Sequence, residues 1–511
     1  MKKILYSTFI LASSLAFSQS QNLAKLANGE MVNFNAIYDQ KENLFGYVGI
    51  YNYGKTSDTA KKFEYVILDK NLNPIANKDF EGDKFAGGYS AFMDFRENIV
   101  LSPKLDRTQL NIFKLKDIVI PRTKIISLQD NSIKNKDYFE YEEDGKFTKL
   151  DQPKNILAQY KEDKIERKSK GYMYESLVYE IKQGGYLALE YRDYKSYSNN
   201  NSLIKFDDDK KENWKYRYNT SGDKKNNESL TLIEKDDDKV YCILQNNAGK
   251  EKNFQLLVLD MKTGKEIVKK PISGLPKNTL DKINSVKTFS FGTLDNSKTL
   301  NDKIVLVGRN IDDNNKYTGF ARLVINKNNF EIDTKEITYE SLKSQIPKLG
   351  NYGTVEAGYF LDPRDFFFLQ DGSVGILLEK YKAEGQYNAP KTTDMVYIYT
   401  DKNFNPSVKI FEKEKSKWSN SDYLFSQYIN QGKDVVFFYR DYQKEEGAGE
   451  KKWNLFINTL IDGKFKQEIV PISAKDDFYV SPYIGKEGYI LLREYNKKEK
   501  FNNIRLERLN F

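Results

Sequence analysis

The chain has 511 residues, one cysteine, no histidine and a net charge of +8, with charged side chains of both signs making up 30% of it. Without histidine there is no His general base, no Ser-His-Asp or Cys-His nucleophile, and no His-ligated zinc, copper or iron. One cysteine, Cys242, excludes an internal disulfide, and interleaved charge with a mild basic excess is a solvated surface, not a nucleic-acid footprint.

The chain opens "MKKILYSTFILASSLAFSQSQN". Lys2 and Lys3 precede an apolar run from Ile4 to Phe17, and Ala16 and Ser18 are small residues at the positions a signal peptidase reads. Residues 1–18 therefore read as a secretory signal peptide. The run is shorter than the roughly 20 residues that span a bilayer, and no later segment is long and apolar enough. The mature chain from residue 19 is expected in the periplasm or outside the cell, as a monomer without a transmembrane segment.

After the leader, one pattern recurs: apolar run, turn, apolar run, polar stretch, third run, turn, fourth run. It begins with "VNFNAIYDQKENLFGYVGIY" (Val32 to Tyr51), then "YSAFMDFRENIVLSP" (Tyr89 to Pro103) and "ESLVYEIKQGGYLALEYRDY" (Glu175 to Tyr194). "SLTLIEKDDDKVYCIL" (Ser229 to Leu244) and "KTFSFGTLDNSKTLNDKIVLVGR" (ending at Arg309) follow. Then come "DFFFLQDGSVGILLEKY" (Asp365 to Tyr381), "YLFSQYINQGKDVVFFYRDY" (Tyr423 to Tyr442) and "FYVSPYIGKEGYILLREY" (Phe478 to Tyr495). Third runs include "FEYVILD" from Phe63, "QLNIFKL" from Gln109 and "WNLFINT" from Trp453. Two turns, "DKNLNP" (Asp69 to Pro74) and "DKNFNP" (Asp401 to Pro406), are near copies.

Short runs rich in Tyr, Phe, Val and Ile, bounded by Gly, Asn, Asp and Pro, are strands. Four-strand units in series predict an all-β chain, a β-propeller of eight four-stranded blades over residues 19–511. Seven blades, or two separate β domains, are the alternatives. The wider step between units two and three predicts an insertion at about 129–172, whose first half reads as a hairpin around Asp144-Gly145. The last unit stops after its third strand, so Gln19 to Ala27 is expected to supply the missing outer strand.

The stretch from Asp362 to Pro406 joins an apolar strand, the Asp371-Gly372 turn, an apolar strand ending Glu379-Lys380-Tyr381, a Tyr/Ile strand and an Asp-x-Asn turn. This pattern resembles secreted propeller-like proteins of Bacteroidota. The resemblance implies fold and export; it carries over no catalytic residues.

In a propeller, the connections between second and third strands and between blades share one face. Here they read as long loops rich in Tyr and Arg, the places where binding groups concentrate on a rigid scaffold. The duplicated "YRDY" gives the candidate binding residues Tyr191, Arg192, Asp193, Tyr194, Tyr439, Arg440, Asp441 and Tyr442, with Tyr381 and Arg493 at related strand ends. The same residues suit a structural role, an Arg–Asp pair with Tyr packing at each strand end.

Acidic residues near first-strand starts, Glu175, Glu228, Asp365, Asp422 and Asp477, could ring the channel mouth, and a carboxylate pair is what a glycosidase needs. The Asp tracts from Asp207, Asp236 and Asp312 lack EF-hand spacing and read as solvated turns. No cofactor or metal is expected. The leading expectation is an exported, non-catalytic binding or scaffold propeller presenting a Tyr/Arg/Asp-rich face to a cell-envelope protein or glycan. The alternatives are a carboxylate-dependent carbohydrate hydrolase or lyase, for which only Trp214, Trp418 and Trp453 could stack on sugar, and a structural envelope component.

Overall fold

Second strands such as Val374–Leu378 (VGILL) and Val435–Tyr439 (VVFFY) are unbroken apolar runs in which every residue is buried. A strand alternates its side chains between two faces, so such a run requires cover on both faces. Stacked blades supply that cover.

The computed structural model describes residues 20–510 except 40–42, 107–121, 136–137, 142–146, 151–173, 193–200, 210, 220–225, 250, 281–296, 357, 384, 386–388, 445–450, 473–477 and 497–500. The leader expected at 1–18 lies outside the described residues. Eight four-stranded antiparallel sheets follow one another, seven of them paired in chain order from first strand to fourth. Blades 1 to 4 span residues 30–83, 86–135, 174–219 and 226–271; blades 5 to 8 span 297–338, 360–411, 423–471 and 478–508. First strands of neighbouring blades lie against each other in blades 1 and 2, 5 and 6, and 7 and 8. The chain is an eight-bladed β-propeller.

Its core is divided between the blades. Separate apolar clusters fill the junctions 1–2, 3–4, 4–5, 5–6, 6–7, 7–8 and 8–1. Blades 2 and 3, on either side of the proposed insertion, are joined by an ion pair between Arg96 and Asp208.

Blade 8 has three strands of its own, and Ser20–Asn22 is the fourth, pairing antiparallel with Phe501–Arg508. Leu23 then enters the 8–1 core, and its carbonyl accepts from the Tyr51 hydroxyl at 2.6 Å. Tyr47 ties blade 1 to the blade 8 turn through the Ile484 carbonyl at 2.9 Å.

One strand reading is corrected. In blade 2, the strand that pairs with Ile99–Leu105 is Lys124–Ile126, and Ile133–Asn135 is the fourth strand, so the blade runs past residue 129. The run from Gln109 to Leu115 lies outside the described residues. In blade 5 Ser297–Leu300, next to the turn, pairs with the second strand; the Phe-rich run before it lies outside the described residues. The hairpin expected in the insertion is there: Tyr138–Tyr141 and Phe147–Leu150 pair as a separate two-stranded sheet.

Several stretches read as long loops are strand. Leu44–Lys55 pairs with Ala60–Asp69, and Asp434–Lys444 with Lys451–Ile461. Backbone ladders do not need apolar side chains, so polar strand ends at the rim carry no hydrophobic period to show them.

Candidate functional site

The face that carries second-to-third and inter-blade connections holds a chain of charges across blades 5, 6 and 7. Arg309, at the end of the blade 5 second strand, pairs with Asp362 on the blade 6 first strand. Asp362 also takes a bond from Arg364 at 2.9 Å, and Arg364 Nε reaches Glu379 at 2.8 Å. Lys413, on the connection from blade 6 to blade 7, has its Nζ 2.5 Å from Asp422 and 3.9 Å from Glu379. Arg440 Nε reaches Asp422 at 3.4 Å.

The centre of this chain is sealed: the side chains of Glu379, Lys413 and Asp422 are each 0% exposed. Strand register places them. Glu379 lies opposite Met395 just before an irregularity in the blade 6 second strand, and Asp422 immediately precedes the blade 7 first strand. The Asp422 N–H donates to Glu379 Oε1 at 3.0 Å, which locks the two blades at this level. Asp422 also accepts from the Thr392 and Ser419 hydroxyls, both at 2.8 Å. Buried charges persist only when paired and hydrogen-bonded, and this cluster meets that condition.

The two acids respond differently. Burial pushes the Glu379 carboxyl above its ordinary range, and the attraction of Arg364 and Lys413 does not offset it. Burial acts in the same sense on Asp422, but Lys413 and the hydroxyl bonds outweigh it and hold that carboxyl below its ordinary range. Carboxylates split in this way form acid–base pairs in glycosidases. Here neither has surface for a substrate to reach, and both Asp422 oxygens are occupied.

Around this buried centre lies an exposed corner. The segment Ser416–Lys417 adds a short strand against Lys391–Thr392. Trp418 follows with φ +62°, a left-handed conformation uncommon for a large side chain. Its N–H is fixed to the Pro390 carbonyl at 2.8 Å. Ser419 is bound to Asp422, and the Asn420 carbonyl accepts from Arg364 at 2.8 Å. The indole is left 79% exposed on this anchored backbone. Arg440 is tied to the same segment, because its Nε and the hydroxyl of Ser419, the residue after Trp418, share Asp422 Oδ1. The Arg440 side chain is 44% exposed and its guanidinium lies 5.4 Å from the Trp453 ring.

The candidates from the sequence divide. Tyr439 is in the 6–7 core, stacked on Phe456 at 5.0 Å. Asp441 is buried and accepts from the N–H groups of Tyr442 at 2.8 Å and Glu414 at 3.2 Å, with burial pushing its carboxyl up to about 6. Tyr442 is buried and donates to the Lys415 carbonyl at 2.7 Å. Tyr381 is half-buried, with Arg364 5.4 Å from its ring and Asn420 3.4 Å from its hydroxyl. These residues meet at the blade 6–7 corner. Arg493 is on blade 8, bonded to Asn502 at 2.9 Å and lying over Tyr495. Tyr191 and Arg192 end the blade 3 second strand, on another blade from Arg440. Asp193 and Tyr194 lie outside the described residues.

The first-strand acids do not converge. Asp365 accepts from Tyr423, and from Ser426 at 2.6 Å, while Glu228 is on blade 4 with Asn246 at 3.2 Å. The Glu175 side chain and Asp477 lie outside the description. The Asp tracts close turns: Asp312 accepts from Asn314 and Lys316, and Asp236 from Asp238 and Lys239. Among the described residues no group of three or more acidic or thiol side chains is placed to hold a metal. Cys242 is buried, and burial pushes its thiol up, away from the reactive thiolate. No helix among the described residues is long and apolar enough to cross a membrane.

Glu379, Arg364 and Lys413 were not candidates in the sequence. Lys413 sits in "FEKEKSKW", where three lysines look alike and only the folded connection selects one for burial.

No protein-family model matches the chain, and no curated protein matches it. Among solved structures it is similar to the WD40 domain of SCAP from fission yeast, at 8% identity over 90% of this chain and 98% of that one, TM-score 0.24. It is also similar to the β-propeller domain of the Trilobed protease from Pyrococcus furiosus, described as having an open velcro topology (12% identity, 93% and 94% covered, TM-score 0.28). A third is the α-L-arabinanase of Penicillium chrysogenum complexed with arabinobiose (8% identity, 55% and 98% covered, TM-score 0.23).

Proposed function

We propose that this chain is an exported, non-catalytic binding propeller that presents the loop face of blades 6 and 7 to a cell-envelope protein or glycan. One observation carries the reading. The central carboxylates of this corner, Glu379 and Asp422, are sealed and saturated by Arg364, Lys413 and hydroxyl groups, whereas Trp418 and Arg440 stand exposed around them. A hydrolase or lyase would need the reverse, carboxylates open to substrate. An exposed aromatic beside an exposed guanidinium is the composition of a recognition surface. The leader sequence and the resemblance to secreted propeller-like proteins support export.

The test is capture of envelope extract and binding to a glycan array by the mature chain and by a Trp418→Ala/Arg440→Ala double variant. The double variant is expected to lose the ligand while its unfolding midpoint is unchanged. Binding that survives there and falls in Arg192→Ala would move the site to blade 3.

A further inference from the structure

The blade 6–7 corner also carries signs of what it binds; this step rests on the loop-face reading above. The other large aromatic side chains that are exposed, Tyr53, Phe92, Tyr352 and Tyr479, lie on blades 1 and 2, in the connection between blades 5 and 6, and on blade 8. Among the described residues Trp418 is therefore a single exposed aromatic platform at this corner, not part of the contiguous apolar core that a protein interface uses. A platform of one ring's size, with hydrogen-bonding groups around it, matches the apolar face of a sugar ring.

The charge nearby is mostly positive. Lys417 stands directly opposite Lys391 in the strand pairing, a like-charge contact that is unfavourable by itself. Lys382 and Lys415 both lie over the Tyr359 ring, at 5.9 and 5.8 Å. Among the described residues Arg440 uses only Nε, on Asp422, which leaves its two terminal nitrogens to face outward. Glu412 and Glu414 are exposed on the same segment, and Glu379 and Asp422 are matched internally by Arg364 and Lys413. Among the described residues, Arg440, Lys391, Lys415 and Lys417 stand against these two exposed acids.

We infer that this corner binds an acidic glycan, with a sugar ring on Trp418 and the sugar's anionic group on Arg440 and the flanking lysines. A guanidinium engages a carboxylate or sulfate through parallel N–H bonds.

Calorimetric titration of the mature chain tests this with oligogalacturonate, chondroitin sulfate and a neutral oligosaccharide of similar length. The acidic glycans are expected to bind at least about tenfold more tightly than the neutral one, and less tightly as salt is raised. Comparing the two acidic probes shows whether carboxylate alone suffices. Trp418→Gly suits the left-handed backbone and keeps the fold; it is expected to weaken binding at least about thirtyfold, the lower bound of a hot spot. Arg440→Gln is expected to remove the preference for acid. Equal binding of the neutral probe, or full affinity in Trp418→Gly, overturns the acidic-glycan inference. In that event the loop-face reading stands if Trp418→Ala/Arg440→Ala still abolishes envelope capture, and both fall if no loop-face substitution changes any binding.

Discussion

Gly375 has no room for a side chain. A Cβ there would lie 2.0 Å from the Tyr397 hydroxyl and 2.9 Å from Phe367. Tyr397 is fully buried, stacked between Phe367 at 5.7 Å and Phe437 at 5.8 Å, so it cannot swing aside. Gly375→Ala is therefore expected to cost about 1–3 kcal/mol through overpacking, read from chemical denaturation. Lys413→Met should cost more, about 3–5 kcal/mol, because it leaves Glu379 and Asp422 buried without their shared cation. Asp441 gives a pH signature. Its carboxyl is raised by burial from 3.8 to about 6, so the folded chain holds this proton more tightly than the unfolded chain does. That adds stability below pH 4, which is lost as pH rises through 6. The loss is on the order of 2–3 kcal/mol. Asp441→Asn is expected to flatten the slope of stability between pH 4 and 6, measured by urea titrations at stepped pH. None of these three could be singled out in the sequence with these roles. Asp441 was visible as part of a repeated "YRDY", but alternation on a strand alone could not say that it points inward and Arg440 outward.

The turns are a contrasting case, because their chemistry is local. In Asp69–Asn73 and Asp401–Asn405, one aspartate oxygen accepts the asparagine N–H at 2.9 Å while the other accepts its side-chain amide, at 3.0 and 2.9 Å. The same clamp recurs at Asp39–Asn43 and Asp94–Asn98. Where the residue before the asparagine is described, it turns left-handed: Leu72, Phe404 and Glu97. Five consecutive residues contain the whole device, which is why the near-copies stood out in the sequence. The N–H and amide bonds from Asn405 hold the Asp401 carboxyl below its ordinary range. Its stabilisation is therefore complete above the usual carboxylate pKa and fades as pH falls through the depressed value. Asp401→Ala should loosen the hairpin joining the third and fourth strands of blade 6, seen as faster amide exchange in Pro406–Phe411, with the wild type approaching the variant only in acid. Strand ends were harder to read, since Asp434–Lys444 gains its last residues from ladder bonds that leave no apolar period.

A ring of eight blades succeeds only if the first and last meet, and residues 20–23 complete that junction beside the 8–1 core. Ser20, Gln21 and Asn22 pair with Arg505, Ile504 and Asn503, and Leu23 then fills a fully buried place between Leu491, Ile504 and the blade 1 strands. The count of repeats, the missing fourth strand after Phe501–Arg508 and the short segment after the leader together pointed to this closure before any contact was known. What the sequence lacked was scale, since a three-residue strand has too few side chains to show a period and only its partner's open edge called for it. Removing residues 20–27 from the mature chain takes away those ladder bonds, exposes the Phe501–Arg508 edge and empties the Leu23 site. Burying one leucine contributes about 1.5–3 kcal/mol, and leaving a cavity adds to the loss, so Leu23→Ala alone should cost about 2–5 kcal/mol. The deletion should cost at least as much and create a bare strand edge able to pair with a second copy. Calorimetry is expected to show a lower unfolding temperature for both variants, and size-exclusion chromatography concentration-dependent association for the deletion only. An unchanged unfolding temperature in the deletion would mean that the seven inter-blade cores hold the ring without its closing strand. Association of Leu23→Ala as well would mean that the strand detaches once its buried anchor is gone, placing the strength of the closure in Leu23 rather than in the ladder.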